Sequence, residues 1–125
     1  MTKRMENSGV FIAEEYKNFN PHLCLTNRKF SEIIGRNTVG HYQYQKGVFL
    51  YMMAGTSPEV LRFPIELFVA RIKEIVMYKE RAVRVEYSNL FYTANVSKHD
   101  VNLYSSPKFK TYLEALLFVY EKEKQ

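Results

Sequence analysis

Residues 82–104 read Ala82-Val83-Arg84-Val85-Glu86-Tyr87-Ser88-Asn89-Leu90-Phe91-Tyr92-Thr93-Ala94-Asn95-Val96-Ser97-Lys98-His99-Asp100-Val101-Asn102-Leu103-Tyr104, and this stretch decides the fold class. From Ala82 to Tyr87, apolar Val83, Val85 and Tyr87 alternate with Arg84 and Glu86, the two-residue period of a half-buried strand. Ser88-Asn89 supplies a turn, and Leu90 to Ser97 a second strand. Lys98-His99-Asp100 supplies another turn, and Val101 to Tyr104 a third strand. Ser106 can cap a helix that begins at Pro107. Phe109, Leu113, Leu116, Leu117 and Tyr120 line its buried face, and the charged tail Glu121 to Gln125 ends it in solvent.

Upstream, the same plan is legible a second time. Tyr42 and Tyr44 alternate with His41, Gln43 and Gln45, Lys46-Gly47 is a turn, and Val48 to Ala54 is an apolar strand. A loop over Gly55 to Pro58 leads to a third strand over Glu59 to Phe63. Pro64 then opens a helix that runs to about Glu80, with Leu67, Phe68, Ile72, Ile75 and Val76 at helical spacing. A shift of 41 residues lays Phe68, Ile72, Ile75 and Val76 on Phe109, Leu113, Leu116 and Leu117. Such a period suggests a duplicated β-β-β-α unit. Against it, amphipathic helices resemble one another by construction, and the third strands do not align.

Residues 1–8 are polar, a short helix fits Ile12 to Asn18, and Asn20-Pro21 marks a break. His22 to Leu25 alternates like a short strand. Thr26 suits the N-cap of a helix over Asn27 to Ile34, with Gly35 as its stop. The expectation is an α+β protein with small antiparallel sheets, each backed by a helix. It has an irregular, partly helical segment over 1–38, a first unit over 39–80 and a second over 81–125, packed as one compact domain.

Composition narrows the chemistry. The 125 residues carry 18 Lys and Arg against 13 Asp and Glu, a net charge of +5. A single cysteine, Cys24, excludes an internal disulfide and a cysteine-based zinc site. Asp100 is the lone aspartate, which argues against the carboxylate clusters that hold Mg²⁺ in phosphoryl-transfer enzymes. No GxxxxGK, GxGxxG, HExxH or GxSxG motif is present. His22 and Cys24 alone do not make a metal site, and Cys24 lacks a partner base in the sequence. The expectations are no catalytic residues, no metal and no cofactor. The polar start is not a signal peptide, and no apolar run is long enough to cross a bilayer, so a cytoplasmic protein without membrane contact is expected.

The run from Ala82 to Tyr87, with Tyr92-Thr93-Ala94-Asn95-Val96, Val101-Asn102-Leu103 and Phe109-Lys110-Thr111-Tyr112-Leu113-Glu114-Ala115, resembles the AP2-like DNA-binding repeat. That family includes modules attached to homing endonucleases, phage integrases and plant transcription factors. Its pattern is a three-stranded sheet with an aromatic-x-Ala-x-aliphatic second strand, then a Phe-x-Thr-x-x-x-Ala helix start. The resemblance covers roughly residues 81 to 122. Tyr92 stands where the family usually has Trp, Lys98-His99-Asp100 replaces its Gly-Lys turn, and Leu103-Tyr104 replaces its Leu-Gly.

The strand alternation has its own implication. Val83, Val85, Tyr92, Ala94, Val96, Val101 and Leu103 would face the helix, leaving Arg84, Glu86, Thr93, Asn95, Ser97, Asn102 and Tyr104 on an open face. Arg and Asn are the side chains that read guanine and adenine edges, and a sheet can enter the major groove. Arg81, Lys98, Lys108 and Lys110 stand ready for phosphates. The competing explanation is that any sheet with one wet face alternates in this way. A second phrase, Glu32-Ile33-Ile34-Gly35-Arg36-Asn37-Thr38-Val39, looks like part of a helix-turn-helix, but Gly35 alone is too short a turn. Arg36 and Asn37 still form a basic, polar loop.

These residues point to a non-enzymatic, sequence-specific DNA-binding protein. It would be a small transcriptional regulator, a repressor of a phage or mobile element, acting on double-stranded DNA as a homodimer and needing no small-molecule substrate. The alternative is a protein-binding inhibitor or accessory factor acting on a host or viral enzyme, with Leu50, Met52 and Phe91 as its contact patch.

Overall fold

Thr26 has extended backbone, and its hydroxyl oxygen accepts a hydrogen bond from the Lys29 amide at 3.1 Å, capping helix α1 (Asn27–Ile34) as its sequence predicts. Gly35 closes the helix in the left-handed region (φ 71°), and the Arg36 amide bonds back to the Ser31 carbonyl. The computed structural model describes residue 16, residues 18–55 and residues 58–124. Most of the helix expected over Ile12 to Asn18, and the start of the chain, lie outside the described residues.

The chain forms two three-stranded antiparallel sheets, each followed by a helix. The first sheet is β1 (Thr38–Gln45), β2 (Val48–Met53) and β3 (Leu61–Pro64), in that order, followed by α2 (Ile65–Met77). The second is β4 (Ala82–Ser88), β5 (Phe91–Lys98) and β6 (Val101–Ser105), followed by α3 (Tyr112–Glu123). Two units divide the chain: one includes Leu25–Phe68, the other is Asn18–Cys24 with Val69–Gln125. The division falls inside α2, whereas the sequence suggests one near residue 80.

The first unit is organised by aromatic rings. Phe30 of α1 is fully buried, with ring centroids 4.9 Å from Tyr42 and from Phe49, and 5.9 Å from Phe68. Tyr42 satisfies its buried hydroxyl by donating to the Leu25 carbonyl at 2.7 Å. The helix phrase around Gly35 therefore leads into a strand, not a recognition helix. In the second unit, Tyr92, Ala94 and Val96 of β5 are buried against α3, which buries Leu113, Ala115, Leu116 and Tyr120.

Several boundaries differ from expectation for identifiable reasons. His22 to Leu25 is no strand: Pro21, with its fixed φ, opens a 3₁₀ turn over Pro21–Leu23. Pro64 ends the edge strand β3, where a missing N–H breaks no ladder, and α2 starts one residue later. Ser106 does not cap a helix; its buried hydroxyl accepts from the Ala94 amide at 2.9 Å and donates to the Pro107 carbonyl. Thr111 is the cap: its hydroxyl oxygen accepts from the Glu114 amide at 3.2 Å and its hydroxyl donates to the Glu114 carboxylate at 2.9 Å.

The tight turns set the strand register. Lys46-Gly47, Asn89-Leu90 and His99-Asp100 each join paired strands with positive φ at both residues, as type I′ turns require. The first two lie 43 residues apart, so the hairpins superpose at that offset instead of 41. The turn is thus Asn89-Leu90, one residue later than Ser88-Asn89. Leu90 (φ 71°) stands where its counterpart turn has Gly47. A left-handed leucine carries strain of about 1–2 kcal/mol. Leu90→Gly relieves it at a smaller entropic cost, so equilibrium denaturation of the variant should show a net gain of about 1 kcal/mol. A loss of stability would mean that Leu90 is held by packing.

Candidate nucleic-acid interface

Cross-strand partners share a face, so the register of β4–β6 states which side chains point away from α3. Val83 pairs with Val96, Val85 with Ala94, and Tyr87 with Tyr92, all on the helix side. Arg84 pairs with Asn95, which pairs with Ser105; Ala82 pairs with Ser97, which pairs with Asn102; Glu86 pairs with Thr93. The open face thus carries Arg84, Asn95 and Asn102 in adjacent rows, with Thr93 one row further along. The Arg84 guanidinium lies 3.1 Å from the Glu86 carboxylate, and Ser105 donates to Asn95 Oδ1 at 2.5 Å. Both bonds are solvent-exposed, so they orient the side chains at little energetic cost to exchange.

Two more cations join this side. Phe109 forms an isolated bridge with Tyr92, exchanging backbone hydrogen bonds at 2.7 and 2.9 Å. That pairing sets exposed Lys108 and Lys110 alongside Thr93 and Phe91 at the sheet edge. The Asn18 side chain donates to the Lys110 carbonyl at 2.8 Å and fixes the backbone there.

Other expected site residues are placed elsewhere. β6 carries one extra residue between the pairs Val96–Tyr104 and Ser97–Asn102. This bulge shifts the alternation, so Tyr104 faces α3 and not the open face. Lys98, paired with Val101, shares the helix side with Val96. Arg36 and Asn37 belong to the first unit. The Arg36 guanidinium donates to the Tyr51 hydroxyl and lies over its ring at 5.9 Å, and the Asn37 carbonyl accepts from the Ala54 amide.

Arg81 is half-buried and engaged by Glu123. Glu123, expected in solvent, is only 3% exposed and gathers three partners. Arg81 Nη1 lies 3.0 Å from its Oε2, Lys79 Nζ 3.2 Å from its Oε1, and the Tyr104 hydroxyl donates to Oε2 at 2.5 Å. Burial raises the Glu123 pKa, but hydrogen bonds from Tyr104 and Lys79 and the charges of Arg81 and Lys79 outweigh it and hold the group below the usual glutamate value. Burial, together with the hydrogen bond to Glu123 and its charge, pushes the Tyr104 phenol up. This cluster ties the start of β4 and the end of β6 to the last turn of α3. No motif marks it, since its members lie up to 44 residues apart.

Elsewhere in the second unit, burial and the Glu114 charge push the Cys24 thiol up to about 11, so it stays protonated at neutral pH. In the first unit, Leu50 and Met52 line a shallow groove of about 300 Å³ with Val39, His41, Gln43 and Val60. Phe91, the third member of the expected contact patch, belongs to the other unit and is half-buried. Among the described residues, no group of three or more His, Cys, Asp or Glu side chains could hold a metal ion. No helix among them is long and apolar enough to cross a membrane. In comparisons with protein-family models, curated proteins and solved structures, nothing matches this chain.

Replacing Glu123 by Gln leaves Lys79 and Arg81 without a counter-charge. The expected cost is about 2–3 kcal/mol, less than for a fully buried pair because both cations keep some water. The pH dependence has a definite sign. A carboxylate with a lowered folded-state pKa contributes fully above its ordinary value of 4.5, and the contribution fades as pH falls through the folded-state value. Urea titrations across that acid limb should show a steeper loss for the parent than for E123Q. Parallel curves would place the acid sensitivity elsewhere.

Proposed function

We propose that this chain is a non-enzymatic, sequence-specific DNA-binding protein, a small transcriptional regulator that represses by occupying a promoter. The observation that carries this reading is the β4–β5–β6 register, which gathers Arg84, Asn95 and Asn102 on one exposed face. Arg pairs with guanine O6 and N7, and Asn with adenine N6 and N7. Three strands at a spacing of ~4.8 Å span about 10 Å of backbone, which suits a major groove about 12 Å wide. Lys108 and Lys110 flank the face and supply phosphate contacts that set orientation without reading sequence. Glu86 on the same face can accept from the cytosine amino group and repels a misplaced phosphate. The resemblance to AP2-like repeats points the same way, as does the net positive charge.

Occupying a promoter needs no catalysis, so the regulator reading asks nothing of Cys24 or the histidines. A two-fold dimer would double the recognised site. One observation favours a second reading, a protein-binding accessory factor: Leu50 and Met52 line the apolar groove on β1–β2.

A mobility-shift titration on duplexes selected from a random pool tests the main reading. Binding should weaken as salt rises, with a log–log slope of about −0.9 for each phosphate neutralised. The double variant Arg84→Ala with Asn95→Ala should lose about 1–3 kcal/mol of site preference per contact, keep its weaker non-specific binding, and keep its melting temperature. An absence of binding at low salt would end the DNA reading. Unfolding of the double variant would assign the two residues to the structure.

A further inference from the structure

Leu90 combines two unfavourable features at one position. Its backbone sits at φ 71° and the residue is 76% exposed, so little internal packing offsets the strain. The other two type I′ turns put Gly47 and Asp100 at the equivalent position, residues that tolerate or ease that conformation. A bulky apolar side chain held out on the tip of a rigid hairpin is a protrusion with a shape and no internal role.

The surroundings indicate its target. Leu90 ends the same β4–β5 ribbon whose open face carries Arg84 and Asn95, and Ser88 pairs with Phe91 in the row just behind the tip. By the Tyr92–Phe109 bridge, exposed Lys110 lies opposite Phe91, the residue that follows Leu90. An apolar side chain of a DNA-bound protein can wedge between base pairs, unstack them and kink a duplex. Resting on the DNA reading above, we infer that Leu90 is an intercalating wedge: the β4–β5 hairpin presses it between two base pairs and bends the DNA that the open face reads. Pyrimidine–purine steps, which unstack most easily, are its preferred position.

The test uses the whole chain and a short duplex of random sequence rich in TA steps, with a donor and an acceptor fluorophore at its ends. Binding is measured on the same samples by mobility shift, and self-association by sedimentation. The parent should shorten the end-to-end distance on binding. Leu90→Gly and Leu90→Asn, which suit the turn better, should bind with affinity lowered about tenfold and leave the duplex close to straight. Leu90→Met, which keeps an apolar protrusion, should bend it nearly as the parent does. Equal bending by parent and Leu90→Gly, or binding by the parent without bending, would overturn the wedge while leaving DNA binding intact. Self-association that Leu90→Gly abolishes, with no bending, would assign the tip to a second copy and also overturn it. A parent that fails to shift the duplex at all would overturn the DNA reading and the wedge with it.

Discussion

The pairing register of β4 with β5 is the constraint on which the second unit depends. A one-residue shift of β5 against β4 would turn Thr93 and Asn95 towards α3 and send Ala94 and Val96 into water. Burial of Tyr92, Ala94 and Val96 against α3 makes that slip costly, and a two-residue turn leaves no slack to absorb it. The face that holds the polar residues is therefore a consequence of the face that packs. The bulge in β6 extends the same logic: one extra residue lets Asn102 stay outside while Tyr104 points inward to Glu123.

Glu123 is the polar counterpart of that apolar packing. One carboxylate holds cations from either side of Glu80 and a phenol from β6, so the entry to the sheet and its last strand are fixed to the same helix turn. The cost of burying the charge is offset because each carboxylate oxygen has a donor. Glu123 thereby offsets part of the positive charge that Arg81 and Lys79 bring to this end of the sheet. Of the cations near the second sheet, Arg84, Lys108 and Lys110 are the ones that lie by its open side.

Local signals in the sequence carried well. Thr26 and Gly35 bracket α1, and alternation over Ala82 to Tyr87 and through β5 gives both the strands and their faces. Signals that depend on partners far along the chain did not. Glu123 sits in a run of charges that looks like a solvated tail, and only the folded positions of Lys79, Arg81 and Tyr104 make it a core residue. The β6 bulge leaves no mark in Val101-Asn102-Leu103-Tyr104, because its alternation is consistent with an unbroken strand. The α3 cap was readable in Thr111-Tyr112-Leu113-Glu114, a Thr-x-x-Glu start that Ser106-Pro107 obscured by offering an earlier one. Leu90 lay hidden for the opposite reason: leucine is a poor turn residue, so the turn reads as Ser88-Asn89.

The proposed contact between the open face of β4–β6 and DNA can be observed residue by residue. Its most direct test is an NMR titration of isotope-labelled protein with duplex DNA, following backbone amides and the side-chain amides of Asn95 and Asn102. Shifts concentrated on Arg84, Thr93, Asn95, Asn102 and the Lys108–Lys110 segment, with α3 unmoved, are the expected result. Shifts confined to α3 or to β1 and β2, or none at saturating DNA, would contradict it.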